Sequence, residues 1–248
     1  MKKLFIITGA NGHLGGTIVR MLNGRPVQVR GLVFGDKKKR DTGSIHYYSG
    51  DVREPETLRP LFEGCEDMET IVIHTAGIID ISNHVSPELY DVNVNGTKNI
   101  LALCREYPVK RLVYVSSVHA IPEQKRGNVT GEIRDFSPDA VVGGYAKTKA
   151  EATREVRRAA QEGLEIAGAV SGKKKLPVLP LWMAKMAAPF IQLHARRKKR
   201  RPLYTAYSLH VLGTGERFSH KKATEELGYH PRDLKVTIRD MVAEMQGA

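Results

Sequence analysis

The sequence predicts an α/β protein built on a doubly wound parallel sheet. Short apolar runs alternate with helix-like segments through residues 3–115, a pattern typical of parallel strands joined by crossover helices. A glycine-rich turn separates the first apolar run from the first helix-like segment. Polar residues follow several of the apolar runs, at the strand ends where doubly wound sheets bind their ligands.

Five strands and four helices account for this alternation. The strands are expected at residues 4–8, 27–33, 45–49, 71–74 and 111–115. The helices are expected at residues 14–22, 55–62, 87–106 and 144–161. The first strand is a continuous apolar run, as expected where a parallel sheet is covered on both faces.

The glycine-rich turn Thr8-Gly9-Ala10-Asn11-Gly12-His13-Leu14-Gly15 joins the first strand to the first helix. Gly9 allows a tight turn, Gly12 lets the backbone approach a pyrophosphate, and Gly15 lets the helix pack close to the strand. The N-terminus of the helix supplies N–H donors and the positive end of its dipole. The turn therefore predicts a dinucleotide site; the alternative is a glycine-rich turn with no ligand.

Tyr145 and Lys149 lie four residues apart on the last predicted helix, so they share one face, one turn apart. A nearby ammonium favours the phenolate and lowers a tyrosine pKa from its ordinary value of about 10. Tyr145 is therefore a candidate general acid and base for a hydroxyl or carbonyl group. Ser116 and Ser117 end the fifth strand, and strand alternation sends only one of them toward the site.

The formal net charge of +12 is concentrated in basic runs at residues 37–40, 173–175 and 196–201. Such runs can bind nucleic acid or an anionic membrane surface. No nucleic-acid motif accompanies them, and aromatic residues are not interleaved with them as a base-stacking surface requires. We therefore expect solvated faces rather than a nucleic-acid partner.

Residues 176–201 form an apolar stretch with a basic end. Prolines and the charge of Lys185 argue against a membrane-spanning helix. An interfacial helix, with weak association to a membrane surface, is one interpretation. An amphipathic helix packed on the domain is the other, and we favour it.

The cysteines, Cys65 and Cys104, do not make a disulfide framework and lack partners at metal-ligand spacing, so we expect no metal. The N-terminus runs directly into the first strand, so we expect no signal peptide. The expected location is cytoplasmic.

These motifs together resemble the extended short-chain dehydrogenase/reductase family, in its epimerase and 3β-hydroxysteroid-dehydrogenase-like branch. The glycine turn has the family's T-G-x-x-G-x-x-G spacing, and Tyr145 and Lys149 match its Y-x-x-x-K pair. Further matches are Gly50-Asp51-Val52, His74-Thr75-Ala76-Gly77, Asn93-Val94-Asn95-Gly96-Thr97 and Val113-Tyr114-Val115-Ser116-Ser117. Residues 218–223 and 226–232 resemble its C-terminal helix and turn. The resemblance implies a Rossmann fold.

The resemblance also implies a reaction: hydride transfer between a nicotinamide and a carbon that bears a hydroxyl or carbonyl group. The implied substrate is a small molecule that resembles a sterol, a dihydroflavonol or a nucleotide sugar, and the implied assembly is a homodimer. Tyr145 would exchange the proton, and Lys149 would lower the tyrosine pKa and bind the nicotinamide ribose. Ser117, on which the family pattern aligns better than on Ser116, would orient the substrate oxygen. Asn93 would position a helix bend or a water relay.

The implied cofactor-binding residues include Tyr145 and Lys149 and extend along the strand ends. The others are Gly9, Asn11, Gly12, His13, Leu14, Gly15, Phe34, Asp36, Asp51, Val52, His74, Ala76 and Gly77.

The cofactor is expected to be NAD or NADP. An acidic residue at the end of the second strand favours NAD, and a basic residue there favours NADP. Phe34 occupies that position and is neither. Asp36 could hold the ribose hydroxyl of NAD, and residues 37–40 could hold the 2′-phosphate of NADP.

The chain departs from the family after Lys149, where the segment that builds most of the substrate pocket is short. Residues 164–170 are either a replacement sixth strand or the end of a later helix, and we favour the helix. The expected organisation is a dinucleotide-binding domain at residues 1–162 and a reduced substrate-side region at 163–248. The first functional hypothesis is an NAD(P)-dependent oxidoreductase; the alternative is a dinucleotide-binding module with little or no catalytic activity.

Overall fold

The computed structural model describes residues 2–35, 41–123, 129–131, 133–169, 217–233 and 236. These residues divide into two compact units. The larger unit holds the described residues up to 123 together with 133–169, and the smaller unit holds 129–131 and those from 217 onward. Asp36, the basic runs and the segment 176–201 lie outside the described residues. The expectations for them, like the boundary after residue 162, stay predictions.

A six-stranded parallel sheet is the centre of the larger unit. Its strands are β1 (Lys2–Thr8), β2 (Gln28–Val33), β3 (Ile45–Ser49), β4 (Met68–His74), β5 (Val109–Val115) and β7 (Ile166–Ala169). Their order is β3-β2-β1-β4-β5-β7, which reverses direction between β1 and β4. This is the order of a doubly wound Rossmann sheet, so the predicted fold class is confirmed.

The helices of the larger unit lie close to their predicted positions. They are α1 (His13–Leu22), α2 (Pro55–Leu58), α3 (Pro87–Tyr90), α4 (Gly96–Glu106) and α5 (Gly144–Gln161). Short 3₁₀ helices occupy Arg59–Leu61, Val118–Ala120 and Pro138–Ala140. The single helix expected at 87–106 differs from prediction, because a π-helical segment at Asp91–Asn95 joins α3 to α4.

Apolar side chains pack on both faces of the sheet, as the continuous apolar run in β1 predicts. Leu4 and Ile6 belong to the larger core cluster, which includes Val156 of α5. Ile7 belongs to a second cluster, which includes Val19 of α1. Alternate residues of β1 thus reach opposite layers, and the strand is fixed between them.

The preference for a helix at residues 164–170 was wrong. Ile166–Ala169 is the sixth strand, and it pairs in parallel with β5 from Leu112 to Val115. Leu164 and Ile166 pack against the main core cluster. An apolar segment of this length suits a strand or a helix end equally well, and the free edge of β5 decides between them.

The smaller unit contains a two-stranded parallel pair, β6 (Val129–Thr130) with β8 (Arg217–Phe218), and the helix α6 (Lys221–Leu227). Gly228 ends α6 in the left-handed conformation with φ +62°. The C-terminal helix and turn implied by the resemblance are therefore present. In the described part of the chain, no helix combines the length and apolar character needed to cross a bilayer.

Candidate functional site

A cavity of about 360 Å³ opens at the carboxyl ends of β1 to β4, where the strand order reverses. From the glycine turn it is lined by Gly9, Asn11, Gly12, His13, Leu14 and Gly15. Of the other predicted residues, Phe34, Asp51, Val52, Ala76 and Gly77 also line it. We call this space the dinucleotide cavity.

The glycine turn is shaped by contacts that a side chain would prevent. Gly9 has φ +70°, which favours glycine. A Cβ atom on Gly15 would lie 2.3 Å from the Gly9 carbonyl oxygen, so α1 can approach β1 only because residue 15 is glycine. Gly12 is the N-cap residue of α1, and because it has no side chain it makes no side-chain cap hydrogen bond to the helix. The first N–H groups of α1 therefore suit a phosphate.

Asp51 lies in the cavity wall beside Arg53. Its carboxylate accepts hydrogen bonds from the Arg53 backbone nitrogen at 2.9 Å, from Nε at 2.8 Å and from Nη2 at 2.6 Å. Burial raises the pKa of the Asp51 carboxyl, but the hydrogen bonds from Arg53 outweigh burial and hold that pKa below its ordinary value. Asp51 is therefore an ionised acceptor at the edge of the cavity.

His74 does not line the cavity, contrary to its predicted role as a cofactor contact. It is only 1% exposed, and its Nδ1 lies 2.7 Å from the Thr8 hydroxyl oxygen. That oxygen already accepts the backbone N–H groups of Thr75 and Ala76, each at 3.1 Å. Both lone pairs of Thr8 are thus used, so its hydroxyl proton is donated to Nδ1.

The opposite side of the His74 ring completes a directional chain of hydrogen bonds. Burial lowers the pKa of His74 to about 3, so the ring is neutral and carries its proton on Nε2. Nε2 donates to the Thr97 hydroxyl at 3.1 Å, and Thr97 donates to the Asn93 carbonyl oxygen at 2.7 Å. His74 therefore connects the end of β1 to the π-helical segment.

Asn93 joins three parts of the fold through its side chain. Oδ1 accepts from the Ile78 nitrogen at 2.8 Å, and Nδ2 donates to the Ile78 oxygen at 3.0 Å. Nδ2 also donates to the Thr148 hydroxyl of α5 at 3.1 Å. Thr148 in turn donates to the Tyr145 carbonyl oxygen at 2.9 Å. Asn93 thereby fixes the segment after β4 against the first turn of α5.

Ser117, Tyr145 and Lys149 are the residues predicted to be catalytic, and we call this group the catalytic corner. Burial lowers the pKa of Lys149 to about 8, and its Nζ donates to the Val115 carbonyl oxygen at 2.8 Å. The expected fall in the Tyr145 pKa is not observed: burial raises that pKa, and a hydrogen bond with Ser117 only partly offsets the rise. The Lys149 ammonium also lies over the Tyr114 ring, 4.7 Å from its centroid.

The two adjacent serines face different surroundings. Both are buried, and Ser116 lies 2.6 Å from the Thr153 hydroxyl, which donates its own proton to the Lys149 carbonyl oxygen. Ser116 is therefore the donor to Thr153. Ser117 caps the 3₁₀ helix that follows β5 and contacts Tyr145. This arrangement favours Ser117 as the serine that meets a substrate.

Sequence reasoning missed several residues of the cavity wall. They are Leu32, Gly50, Arg53, Thr75, Ile78, Glu88 and Val92. Most are sequence neighbours of predicted residues and could have been found by that adjacency. Glu88 and Val92 carry no such signal, because α3 and the π-helical segment reach the cavity only through tertiary packing.

A family model for the 3-beta hydroxysteroid dehydrogenase/isomerase family matches residues 6–169. The chain belongs to this family. The match begins in β1 and ends in β7, so it covers the sheet, the dinucleotide cavity and the catalytic corner.

Curated relatives are similar over half to two thirds of the chain. Sterol demethylase protein B of Methylococcus capsulatus is 32% identical over 165 residues, which are 65% of this chain and 48% of that protein. Human 3 beta-hydroxysteroid dehydrogenase type 7 is 30% identical over 136 residues, 51% of this chain and 36% of that protein. The matched part therefore spans less than half the length of these relatives.

Solved structures share the fold. The crystal structure of gox2253 covers 99% of this chain and 98% of its own chain, with a TM-score of 0.72 and 21% identity. The UDP-glucose 4-epimerase of Thermus thermophilus in complex with NAD is 25% identical with a TM-score of 0.56, and the match covers 71% of this chain and 58% of that one.

Proposed function

We propose that this chain is an oxidoreductase that interconverts a secondary alcohol and a ketone. The observation that supports it most is the catalytic corner: Tyr145 contacts Ser117 one helical turn from the buried Lys149. The cofactor is NAD or NADP, the class that this family uses. When bound, its nicotinamide would supply or accept the hydride.

Each residue of the catalytic corner has a separate task in this proposal. Ser117 donates a hydrogen bond to the substrate oxygen and orients it. Tyr145 exchanges the proton with that oxygen as general acid and base. Lys149, whose pKa of about 8 allows an ammonium at neutral pH, binds the nicotinamide ribose.

The dinucleotide cavity supports the cofactor assignment. The glycine turn leaves room for a pyrophosphate to lie close to the backbone, and the first turn of α1 offers N–H groups for the phosphates. In the proposal, the pyrophosphate lies on Gly12 and the adenine lies beside Asp51.

Among the three substrate classes, exposed apolar residues near the start of α5 favour a sterol-like or dihydroflavonol-like ketone over a nucleotide sugar. Ile79 is 66% exposed and Val142 is 51% exposed. The Gly144 nitrogen donates to the Ser82 oxygen at 3.2 Å, which brings the segment after β4 next to the start of α5. An apolar ring system would cover these side chains.

The deciding experiment compares wild type with Tyr145→Phe, using nicotinamide absorbance for turnover and calorimetry for cofactor binding. The substrate panel contains sterols, dihydroflavonol-like ketones and nucleotide sugars. Turnover should fall by about 10²–10⁴-fold while cofactor affinity stays close to wild type. Tyr90→Phe is the matched control, because it removes a hydrogen bond to Glu151 of α5 without touching the catalytic corner.

A wild type that binds cofactor but is inert across the panel would instead support the binding-module hypothesis. Assembly as a homodimer and a cytoplasmic location are further parts of the proposal, and weak contact of residues 176–201 with a membrane surface is the alternative to an amphipathic helix there that packs on the domain. Sedimentation velocity, cell fractionation and vesicle co-sedimentation test them in turn.

A further inference from the structure

Phe34 is an aromatic ring left exposed in the wall of the dinucleotide cavity. It directly follows β2, and 64% of its surface is accessible. At this position an acidic side chain would bind the ribose hydroxyl of NAD, and a basic side chain would bind the 2′-phosphate of NADP. The phenyl ring of Phe34 can bind neither group, so a different partner is needed to cover it.

Arg53 faces this ring across the cavity wall, with its guanidinium carbon 5.8 Å from the ring centroid. The guanidinium is held in place, because Asp51 accepts from both Nε and Nη2. The backbone beneath it is also held: Asn99 Nδ2 donates to the Val52 oxygen at 2.9 Å and to the Arg53 oxygen at 3.3 Å. Arg53 thus presents a planar group in a fixed place.

We propose that Phe34 and Arg53 are the two faces of a slot that stacks the adenine ring of the cofactor. This inference rests on the proposed function and names the residues that recognise one end of its cofactor. Aromatic rings and guanidinium planes both stack on bases. Planar groups in contact lie about 3.5 Å apart, so a ring between two faces needs about 7 Å. The slot must open by roughly 1 Å, which rotation of the exposed Phe34 side chain provides.

The charges around Arg53 favour stacking over anion binding. Asp51 already pairs with the guanidinium, and the carboxylates of Glu88 and Asp91 act on the same group. An added phosphate would meet three carboxylates and one arginine. Adenine is neutral, and Asp51 Oδ1, which accepts one hydrogen bond from the Arg53 nitrogen, keeps a lone pair for the adenine amino group.

Calorimetry with cofactor fragments tests the slot. The probes are 5′-AMP, which carries adenine, and nicotinamide mononucleotide, which does not. Arg53→Ala should weaken 5′-AMP, NAD and NADP by about tenfold or more and leave the mononucleotide unchanged. Arg53→Lys should not restore binding, because it keeps the charge but lacks the plane. Phe34→Ala should act like Arg53→Ala, and Phe34→Trp should retain the affinity.

Arg59→Ala is the matched control, because that arginine pairs with Glu106 and does not line the cavity. Unchanged 5′-AMP affinity in Arg53→Ala would overturn the slot, and so would full rescue by Arg53→Lys or a loss confined to NADP. If NAD still binds in those cases, the proposed function stands. If wild type binds neither NAD nor NADP, both the slot and the proposed function fail.

Discussion

The dinucleotide cavity and the catalytic corner lie in the same compact unit but are built from different material. On the side of the glycine turn, the cavity depends on backbone geometry: the glycines permit close approach, and α1 begins there with no side-chain cap from Gly12. The corner is formed by polar side chains that bond to groups of another element. Lys149 donates to the Val115 carbonyl oxygen of β5, and Tyr145 of α5 forms a hydrogen bond with Ser117.

The two regions should therefore respond differently to substitution. Backbone geometry depends on the absence of a side chain, so one added methyl group can close the cavity while the rest of the fold stays intact. The corner depends on partners from several elements, so a lost hydroxyl there alters chemistry or stability according to which partner it served.

The largest effect is expected from Gly12→Val in the dinucleotide cavity. The residue has an extended backbone that valine tolerates, but its Cβ would lie 3.2 Å from the Gly9 oxygen and in the path of the pyrophosphate. Loss of two charge-assisted hydrogen bonds, about 1.5–3 kcal/mol each, would weaken cofactor binding roughly 1,000-fold. Calorimetry measures this, and thermal unfolding checks the fold. A variant that is folded and binds normally would contradict the backbone account of the cavity.

The adjacent serines at the end of β5 should differ in their effect on catalysis. Ser117→Ala removes the donor to the substrate oxygen together with the cap of the 3₁₀ helix, and it should lower kcat by about 100-fold. Ser116→Ala removes one buried hydrogen bond and should cost about 1 kcal/mol of stability, with kcat unchanged. Steady-state kinetics and urea unfolding of both variants provide the comparison. Reversed results would mean that Ser116 meets the substrate.

The His74 chain links the two regions, and a double-mutant cycle measures that link. His74→Asn keeps an acceptor for Thr8 but loses the bond to Thr97, and Thr97→Val removes the same bond from its other end. Each single change should cost about 2 kcal/mol in urea unfolding. The double variant should cost less than the sum of the two, because they remove one shared interaction. Full additivity would rule out the chain.

His74 also contributes a pH dependence of stability. Its pKa is about 3 in the folded protein and 6.5 ordinarily, so between these values the unfolded chain binds a proton that the folded chain does not. Stability should therefore fall as pH falls from about 6.5 toward 3, by up to about 1.4 kcal/mol per pH unit. Urea unfolding of wild type and His74→Gln at several pH values measures the difference. The exposed His84→Gln is the control and should keep the wild-type slope.

Sequence patterns predicted most of the fold because the parallel sheet imposes a strong local signal. The strand at Ile45–Ser49 and the helix at Gly144–Gln161 have the predicted bounds. The sixth strand was assigned wrongly, because Ile166–Ala169 owes its conformation to pairing with β5 rather than to its own residues. The π-helical segment was missed for a similar reason: the contacts of Asn93 and Thr97 are to distant elements.

The sequence by itself determined the order of strands and helices, the glycine turn and the spacing of Tyr145 and Lys149. These features are local, since each depends on residue type and on a separation of a few residues. Only the tertiary structure decided that His74 is buried in a hydrogen-bond chain, that burial raises the Tyr145 pKa, and that Arg53 faces Phe34. Burial and hydrogen-bond direction depend on which distant groups surround a side chain, and the fold alone brings those groups together.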